Sequence, residues 1–165
     1  MTRINLINPS MLTDQHLMAE YREIKMINAA LGRSKQTKTT EEILCSIPHT
    51  FCLGAGHVKF FYDKGRYLFN RYLKIRAELL YRNYKIDGLA SVYPWSNHFP
   101  EDIYFKDWSP AEADLGLIKA RIQERIDMKP EWYRYHGKKL NPITLELLTF
   151  RNGSVNIAAS ITGWE

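Results

Sequence analysis

The stretch that decides the fold is residues 14–32, "DQHLMAEYREIKMINAALG". Its apolar side chains recur at steps of four and three residues: Leu17, Tyr21, Ile24. This spacing places them on one face of an α-helix. Glycine is common just after the last turn of a helix. The pattern therefore predicts a first helix from about Asp14 to Leu31, ended by Gly32.

A second helix is predicted after "FFYDK" (residues 60–64) from the same spacing. Its inner face is formed by four apolar residues: Leu68, Tyr72, Ile75, Leu79. Its basic residues are expected elsewhere on its surface: Arg71, Lys74, Arg76, Arg82. The segment is thus expected to bury one apolar side and to expose its charges.

The third helix has the clearest start signal in the chain, "SPAE" at residues 109–112. Ser109 is expected to be the N-cap, Pro110 the first helical residue and Glu112 the third residue after the cap. Four residues form its predicted core face: Leu115, Ile118, Ile122, Ile126. Pro130 marks its expected end, because proline disrupts a helix interior.

The remaining segments favour loops. Residues 32–42 and 91–108 are rich in turn-forming and aromatic residues and lack strand alternation. In residues 141–165, β-branched residues flank Asn152-Gly153, a strong hairpin signal, so a short hairpin and a disordered tail both remain open. The predicted fold is all-α: a compact single domain of three main helices with long loops.

Composition limits the function classes. With 165 residues, of which 45% are hydrophobic, the chain can close one core. A net charge of +5 favours a polyanionic partner but does not establish one. No apolar run approaches the roughly 20 residues of a membrane span, so we expect a cytoplasmic protein with no membrane contact.

Metal and cofactor motifs are absent from the sequence. Cys45 and Cys52 are too few for a disulfide framework, and neither they nor the histidines have metal-ligand spacing. "LGAGHV" at residues 53–58 lacks the lysine and hydroxyl residue of a phosphate loop, so we interpret it as a tight turn before a helix. We expect reduced thiols, no metal and no cofactor.

The start of the chain offers a nucleophile. Thr2 follows Met1, and aminopeptidases normally remove methionine before a small residue, which would expose the Thr2 α-amine. An α-amine has an ordinary pKa of about 7.7 to 8, so a useful fraction is unprotonated at neutral pH. Such an amine can form an imine with a sugar carbon.

The first helix places His16, Glu20 and Glu23 on one stripe, with Arg22 about a quarter turn from Glu23. A carboxylate fixed beside an amine could act as an acid or base, or stabilise positive charge. Alternatively, the glutamates form a solvated face, His16 is a surface residue and Arg3 is a tail charge. From spacing alone, the second interpretation is favoured.

The third helix and the segment after it offer a basic surface. Arg121, Arg125 and Lys129 repeat at four-residue steps, and "PEWYRYHGKK" (residues 130–139) mixes aromatic with basic residues. Basic groups can contact phosphates while aromatic rings stack on unpaired bases. The aromatics could equally belong to the core, with a solvated basic rim, and the sequence leaves both interpretations open.

Four blocks closely resemble the phage pyrimidine-dimer DNA glycosylase/AP lyase family, often called phage endonuclease V. They are "MTRINL", "DQHLMAEYRE", "LGAGHVKFFYDK" and "KPEWYRYHGK", in the family order. The resemblance spans residues 1–139, which implies a helical domain of that extent and a C-terminal extension at residues 140–165. It also implies an N-terminal segment threaded between the first two helices, with the Thr2 amine beside Glu23.

The resemblance implies a substrate and a set of roles. Family enzymes act on cyclobutane pyrimidine dimers in duplex DNA, attack the anomeric carbon of the 5′ nucleotide and then nick the strand by β-elimination. The expected partner is double-stranded DNA with UV photoproducts or abasic sites, bound by a monomer. Carried over by position, Thr2 is the nucleophile and Glu23 the charge-stabilising carboxylate. The expected substrate contacts are Arg3, Gln15, His16, Arg22, Arg121, Arg125.

One departure affects the expected specificity. Where the family has Pro-Arg after the glutamate pair, this chain has Lys25-Met26, so an arginine of the DNA-facing cluster is missing. Lys25 is a candidate replacement, although an ammonium cannot reproduce a bidentate guanidinium contact. The alternatives to the repair enzyme are a family member with an altered lesion range and a non-catalytic DNA-binding protein of the same fold.

Overall fold

The computed structural model of the protein describes residues 4–87, 103–141 and 144. Within these ranges the chain is mostly helical, with five α-helices: α1 (Asp14–Thr37), α2 (Thr40–Cys45), α3 (His57–Phe60), α4 (Gly65–Tyr81), α5 (Glu112–Met128). Three single turns of 3₁₀-helix accompany them: Pro9–Met11, Gly54–Gly56, Pro130–Trp132. The predicted all-α class is confirmed, and α2 is an addition that the sequence analysis did not predict.

The first helix is longer than predicted. Thr13 caps it by accepting a hydrogen bond from the His16 N–H at 3.4 Å. The helix continues through Gly32 to Thr37, so the prediction that Gly32 ends it is wrong. A glycine inside a helix costs only about 1 kcal/mol relative to alanine, which the surrounding turns tolerate.

Residues 32–42 were expected to be irregular, and this expectation is also wrong. After α1 ends, Thr39 and Glu42 form a reciprocal capping box that starts α2. The Glu42 N–H donates to Thr39 Oγ1 at 3.2 Å, and the Thr39 N–H donates to Glu42 Oε2 at 2.8 Å. The Thr-x-x-Glu spacing is itself a start signal. It was obscured by the polar composition of the stretch.

The last helix begins three residues after the predicted cap. Its N-cap is Ala111, whose N–H donates to Asp114 Oδ2 at 2.9 Å, so the expected Ser109-Pro110 start is wrong. The predicted core face is confirmed at three positions, which are buried: Ile118, Ile122, Ile126. Leu115 is only partly buried. The helix ends at Met128, just before Pro130, as predicted.

The core lies mainly between α1 and α4, which are neighbours in the fold. The predicted inner faces of both helices are buried, and the rings of Tyr21 and Tyr72 stack with centroids 5.6 Å apart. The arginines of α4 depart from expectation, because three of the residues predicted on its surface are buried: Arg71, Arg76, Arg82. Each is buried because it finds acceptors inside the fold.

Arg82 illustrates how such an arginine is satisfied. It donates to Asp14 Oδ1 at 2.8 Å, to Glu78 Oε1 at 2.7 Å and to the Leu12 carbonyl at 2.8 Å. Asp14 in turn accepts a hydrogen bond from the Gly137 N–H at 2.7 Å. This network joins the end of α4 to the start of α1 and to the segment after α5.

The segment after α5 forms a short hairpin of two strands, β1 (Arg134–Tyr135) and β2 (Lys138–Lys139). Arg134 lies opposite Lys139. The turn residues His136 and Gly137 have φ of 50° and 76°. Positive φ at both positions is typical of the type I′ turn that suits tight hairpins. The hairpin predicted around Asn152-Gly153 lies outside the described residues and stays a prediction.

Among the described helices, none combines the length and the apolar character needed to cross a bilayer.

Candidate functional site

The start of the described chain is held inside the fold. The Ile4 N–H donates to His57 Nε2 at 3.0 Å, and Asn5 Nδ2 donates to Glu20 Oε2 at 2.9 Å. Farther along, the Arg71 guanidinium donates to the Ile7 carbonyl. Residues 4–7 are buried and contact α1, α3 and α4, which confirms an N-terminal segment threaded between helices. Thr2 and Arg3 lie outside the described residues, so their positions stay predictions.

Glu20 and Arg71 form a buried bidentate ion pair between α1 and α4. The Arg71 Nε and Nη2 atoms donate to Glu20 Oε1 and Oε2 at 2.8 and 2.9 Å. Glu20 is only 1% exposed, so the interpretation of Glu20 as part of a solvated face is wrong. Burial tends to lower the pKa of Arg71, but the charge and hydrogen bonds of Glu20 outweigh it and raise that pKa.

Removing one member of this pair should be strongly destabilising. Glu20→Gln leaves the Arg71 charge buried without its counter-charge, which typically costs about 3–5 kcal/mol of unfolding free energy. Urea denaturation followed by circular dichroism measures this loss. The control is Glu124→Gln on the exposed side of α5, expected to change stability by less than about 0.5 kcal/mol. If Glu20→Gln lowered the unfolding free energy no more than the control does, the buried ion pair would be contradicted.

Glu23 lies one turn after Glu20 and is half-buried. Its Oε2 atom is buried and has no hydrogen-bond partner among the residues that the structure describes. Buried carboxylate oxygens are almost always hydrogen-bonded, so an unpartnered one needs an explanation. The neighbouring Arg22 is exposed and forms no ion pair within the described ranges. Within the described residues, the Glu23 Oε2 atom is therefore buried without a partner, and the Arg22 guanidinium is exposed at the surface.

Gln15 and His16 connect α1 to the segment after α5. Gln15 Nε2 donates to the Trp132 carbonyl at 2.7 Å, and Gln15 Oε1 accepts from the Arg134 N–H at 2.8 Å. The His16 ring stacks on Tyr133 with centroids 4.8 Å apart. His16 is 8% exposed, so the interpretation of His16 as a surface residue is wrong. Both residues position the aromatic segment beside α1.

A groove of about 400 Å³ runs between α1 and this segment. Its described lining residues are Asp14, Gln15, Met18, Ala19, Arg22, Tyr84, Trp132, Arg134, Gly137. The sequence left two interpretations of these aromatic residues open, stacking on bases and packing in the core. Each applies to a different residue. Tyr133 is buried and Tyr135 donates to the Ser10 carbonyl at 2.8 Å, whereas Trp132 is 58% exposed at the groove. One ring therefore remains available for stacking.

Lys25 and Met26 occupy contrasting environments. The Lys25 ammonium lies 3.2 Å from Asp87 Oδ2 and 4.6 Å from the centroid of the Tyr21 ring. Burial tends to lower its pKa, but Tyr72, Asp87 and Tyr21 together raise it. Met26 is 53% exposed and apolar. Lys25 is thus engaged within the fold, and Met26 supplies no charge in place of the missing arginine.

Arg121 and Arg125 lie half-buried on α5. None of the described residues that line the groove comes from α5, so the structure does not bring these arginines to the groove. The Arg125 Nε atom is buried and has no hydrogen-bond partner within the described ranges. Their assignment as DNA contacts remains a prediction.

Two further sequence interpretations can be compared with the structure. "LGAGHV" forms a 3₁₀ turn at Gly54–Gly56 followed directly by α3, which confirms a tight turn before a helix. In the described part of the chain, no group of three or more histidine, cysteine, aspartate or glutamate side chains has the geometry to hold a metal ion.

The sequence analysis missed three residues that build this site: Asn5, His57, Arg71. Arg71 left a detectable signal, because it falls three residues after Leu68 and therefore on the inner stripe of α4. Glu20 likewise falls three residues after Leu17 on the inner stripe of α1. Opposite charges on two facing apolar stripes indicate a buried pair. Asn5 and His57 left no such signal, since their contacts join distant parts of the chain.

The comparison with known families agrees with this arrangement. A family model described as pyrimidine dimer DNA glycosylase matches residues 1–91, just over half of the 165 residues. The matched region includes the buried N-terminal segment, Glu23 on α1, the turn before α3 and the ion pair between α1 and α4. This chain therefore belongs to the pyrimidine dimer DNA glycosylase family, whose members act on DNA that contains pyrimidine dimers.

Proposed function

We propose that the protein cleaves the N-glycosidic bond of the 5′ nucleotide in cyclobutane pyrimidine dimers and then nicks the strand as an AP lyase. The Thr2 α-amine is the nucleophile and Glu23 the catalytic carboxylate. The observation that supports this most strongly is the buried Glu23 Oε2 atom, which has no hydrogen-bond partner among the described residues. Glu20, one turn earlier on α1, has both of its carboxylate oxygens paired with Arg71.

The anchoring of the N-terminal segment supports Thr2 as the nucleophile. Asn5 is fixed against Glu20, and Glu23 lies three residues farther along α1, about 4.5 Å along the helix axis. Ile4 is also fixed, by its hydrogen bond to His57, and the two residues before it can span up to about 7 Å. Once Met1 is removed, the Thr2 amine is therefore within reach of the Glu23 carboxylate.

The chemistry balances with these two groups. The neutral amine attacks C1′ of the 5′ nucleotide, and the C1′–N1 bond breaks with its electron pair passing to the pyrimidine, which takes up a proton. Glu23 stabilises the positive charge that develops on the sugar. The amine then loses a proton and the sugar ring opens to an imine.

Strand cleavage follows from the imine. Glu23 accepts the proton from C2′, and the electron pair forms a C2′–C3′ double bond as the 3′ phosphate leaves. Hydrolysis of the imine frees the amine for another turnover. The burial of Glu23 Oε2 strengthens each of these electrostatic interactions relative to water.

The groove supports a DNA partner. Arg22 offers an exposed guanidinium for a phosphate at the groove, and Trp132 offers a ring face on which an unstacked base can rest. Arg134 also lines the groove, half-buried, with Nη1 donating to the Glu131 and Tyr133 carbonyls. Arg3 is proposed to bind phosphate beside Arg22, and Arg121 and Arg125 to make outer phosphate contacts. Unstacking costs the least free energy at a damaged base step. The deformability of the DNA can therefore select the lesion.

Arg22→Ala should weaken DNA binding because it removes one phosphate contact. We expect affinity for a dimer-containing duplex to fall about 3- to 10-fold and the slope of log K against log salt to decrease by about one. Fluorescence anisotropy across a salt series measures both. Arg33→Ala, which removes a charge from the exposed side of α1 three turns farther on, is the control. Equal effects of the two variants would contradict the assignment of Arg22.

Strand cleavage by the full chain tests the proposal as a whole. Four duplexes of one sequence are compared, containing a cyclobutane thymine dimer, an abasic site, a 6–4 photoproduct or no damage. Nicking of the dimer and abasic duplexes alone is the expected result. Nicking of the abasic duplex alone would indicate a lyase that has lost lesion recognition, and binding without nicking would indicate a non-catalytic DNA-binding protein.

A further inference from the structure

We propose that His57 is a positioning residue for the terminal amine, acting through its hydrogen bond to the Ile4 backbone. This inference rests on the proposed function, since it concerns how the amine of that reaction is held. It gives a role to the "LGAGHV" stretch, which lacks the lysine and hydroxyl residue of a phosphate loop.

The hydrogen bonds of His57 define its tautomer. Nε2 lies 3.0 Å from the Ile4 nitrogen, which can only donate, so Nε2 is the unprotonated acceptor. Nδ1 lies 3.0 Å from the Cys52 carbonyl oxygen, which can only accept, so Nδ1 is protonated. A neutral imidazole thus links the Cys52 carbonyl to the first described residue of the chain.

The imidazole is rigidly held. His57 is 2% exposed and its ring packs edge-on against Phe51 and Phe61, with centroids 5.4 and 5.3 Å away. The turn before it depends on glycine: Gly54 has a φ of 86°, and a Cβ at Gly56 would lie 2.6 Å from Cys52 Sγ. These glycines let the turn close tightly enough to aim the Cys52 carbonyl at the ring.

The position of this anchor matters for reaction rate. Ile4 is the described residue nearest to Thr2 along the chain, and two residues span at most about 7 Å. Without the His57 acceptor, the first side-chain anchor among the described residues is at Asn5, one residue farther from Thr2, so the position of the amine is less tightly constrained. A misplacement of about 1 Å can cost on the order of 100-fold in rate.

Two variants separate positioning from folding. A glutamine at this position reaches as far as Nε2 and offers an oxygen to Ile4, whereas an asparagine reaches only as far as Nδ1. We expect His57→Asn to lower kcat for cleavage of a dimer duplex about 10- to 100-fold, with KM within about threefold of wild type. We expect His57→Gln to recover most of kcat. His49→Asn, at an exposed histidine, is the control.

Hydrogen exchange adds a measurement that does not depend on activity. The Ile4 amide should be protected in the wild type and in His57→Gln and should exchange faster in His57→Asn. An unprotected Ile4 amide in the wild type, a kcat of His57→Asn equal to wild type, or an effect on KM alone would overturn the inference. If the wild type neither cleaves dimer DNA nor forms a borohydride-trapped adduct, the proposed function fails, and the inference with it.

Discussion

Replacing Glu23 by glutamine should lower the rate of strand cleavage at a cyclobutane dimer by at least about 100-fold. The amide keeps the size of the side chain but removes the negative charge that stabilises the cationic sugar and the base that accepts the C2′ proton. Because Glu23 Oε2 has no hydrogen-bond partner among the described residues, its loss breaks no described hydrogen bond of the fold. The stability of the variant should therefore stay close to that of wild type.

Single-turnover nicking measures the rate of cleavage, and fluorescence anisotropy measures the affinity for DNA. DNA affinity should remain within about threefold of wild type, since Glu23 contributes no positive charge to phosphate binding. Glu20→Gln is the informative comparison, because it changes the neighbouring carboxylate and should lower stability instead. Unchanged cleavage by Glu23→Gln would remove Glu23 from the mechanism.

Replacing Thr2 by glutamate should reduce both glycosidic cleavage and nicking to background. A bulky second residue prevents removal of Met1, so the chain keeps its methionine and the primary amine moves one residue outward, by up to about 3.5 Å. Nucleophilic catalysis tolerates little displacement of the attacking atom. Gel analysis of a dimer duplex, with mass spectrometry of the intact protein to verify its N-terminus, measures the effect.

Thr2→Ser is the matched control. Serine is small enough for methionine removal and leaves a primary amine at the same backbone position, so cleavage should stay within about tenfold of wild type. A Thr2→Glu protein that cleaves as fast as Thr2→Ser would place the nucleophile elsewhere in the chain.

The helices could be predicted where apolar spacing is regular. The inner faces of α1, α4 and α5 follow directly from periodicity, since burial of one stripe is what stabilises an amphipathic helix. Their ends were predicted less well. Gly32 did not end α1, and α5 starts at an alanine cap supported by Asp114, because capping depends on which side chain reaches back rather than on residue type alone.

The candidate site could be predicted only in part. Spacing alone favoured a solvated face for the glutamates of α1, and the roles predicted for Thr2, Arg22 and Glu23 came from the resemblance. The buried role of Glu20 depends on Arg71, which lies 51 residues away, and the role of His57 depends on Ile4, 53 residues away. Such long-range partners do not appear in local spacing. The predicted domain boundary near residue 139 remains a prediction.

The environment of Lys25-Met26 bears on lesion range. Lys25 is engaged by Asp87, and Met26 presents an exposed apolar side chain one turn after Arg22. An apolar side chain cannot bind a phosphate, so Met26 does not replace the arginine that the resemblance led us to expect beside Lys25.

The most direct test of the central claim is to trap the imine. The full chain is incubated with a duplex that contains one cyclobutane thymine dimer, borohydride is added to reduce any imine, and the adduct is mapped by mass spectrometry. We expect a covalent adduct on the Thr2 α-amine, and strand cleavage when borohydride is omitted. An adduct on a lysine, or cleavage of the dimer duplex with no trapped adduct, would contradict it.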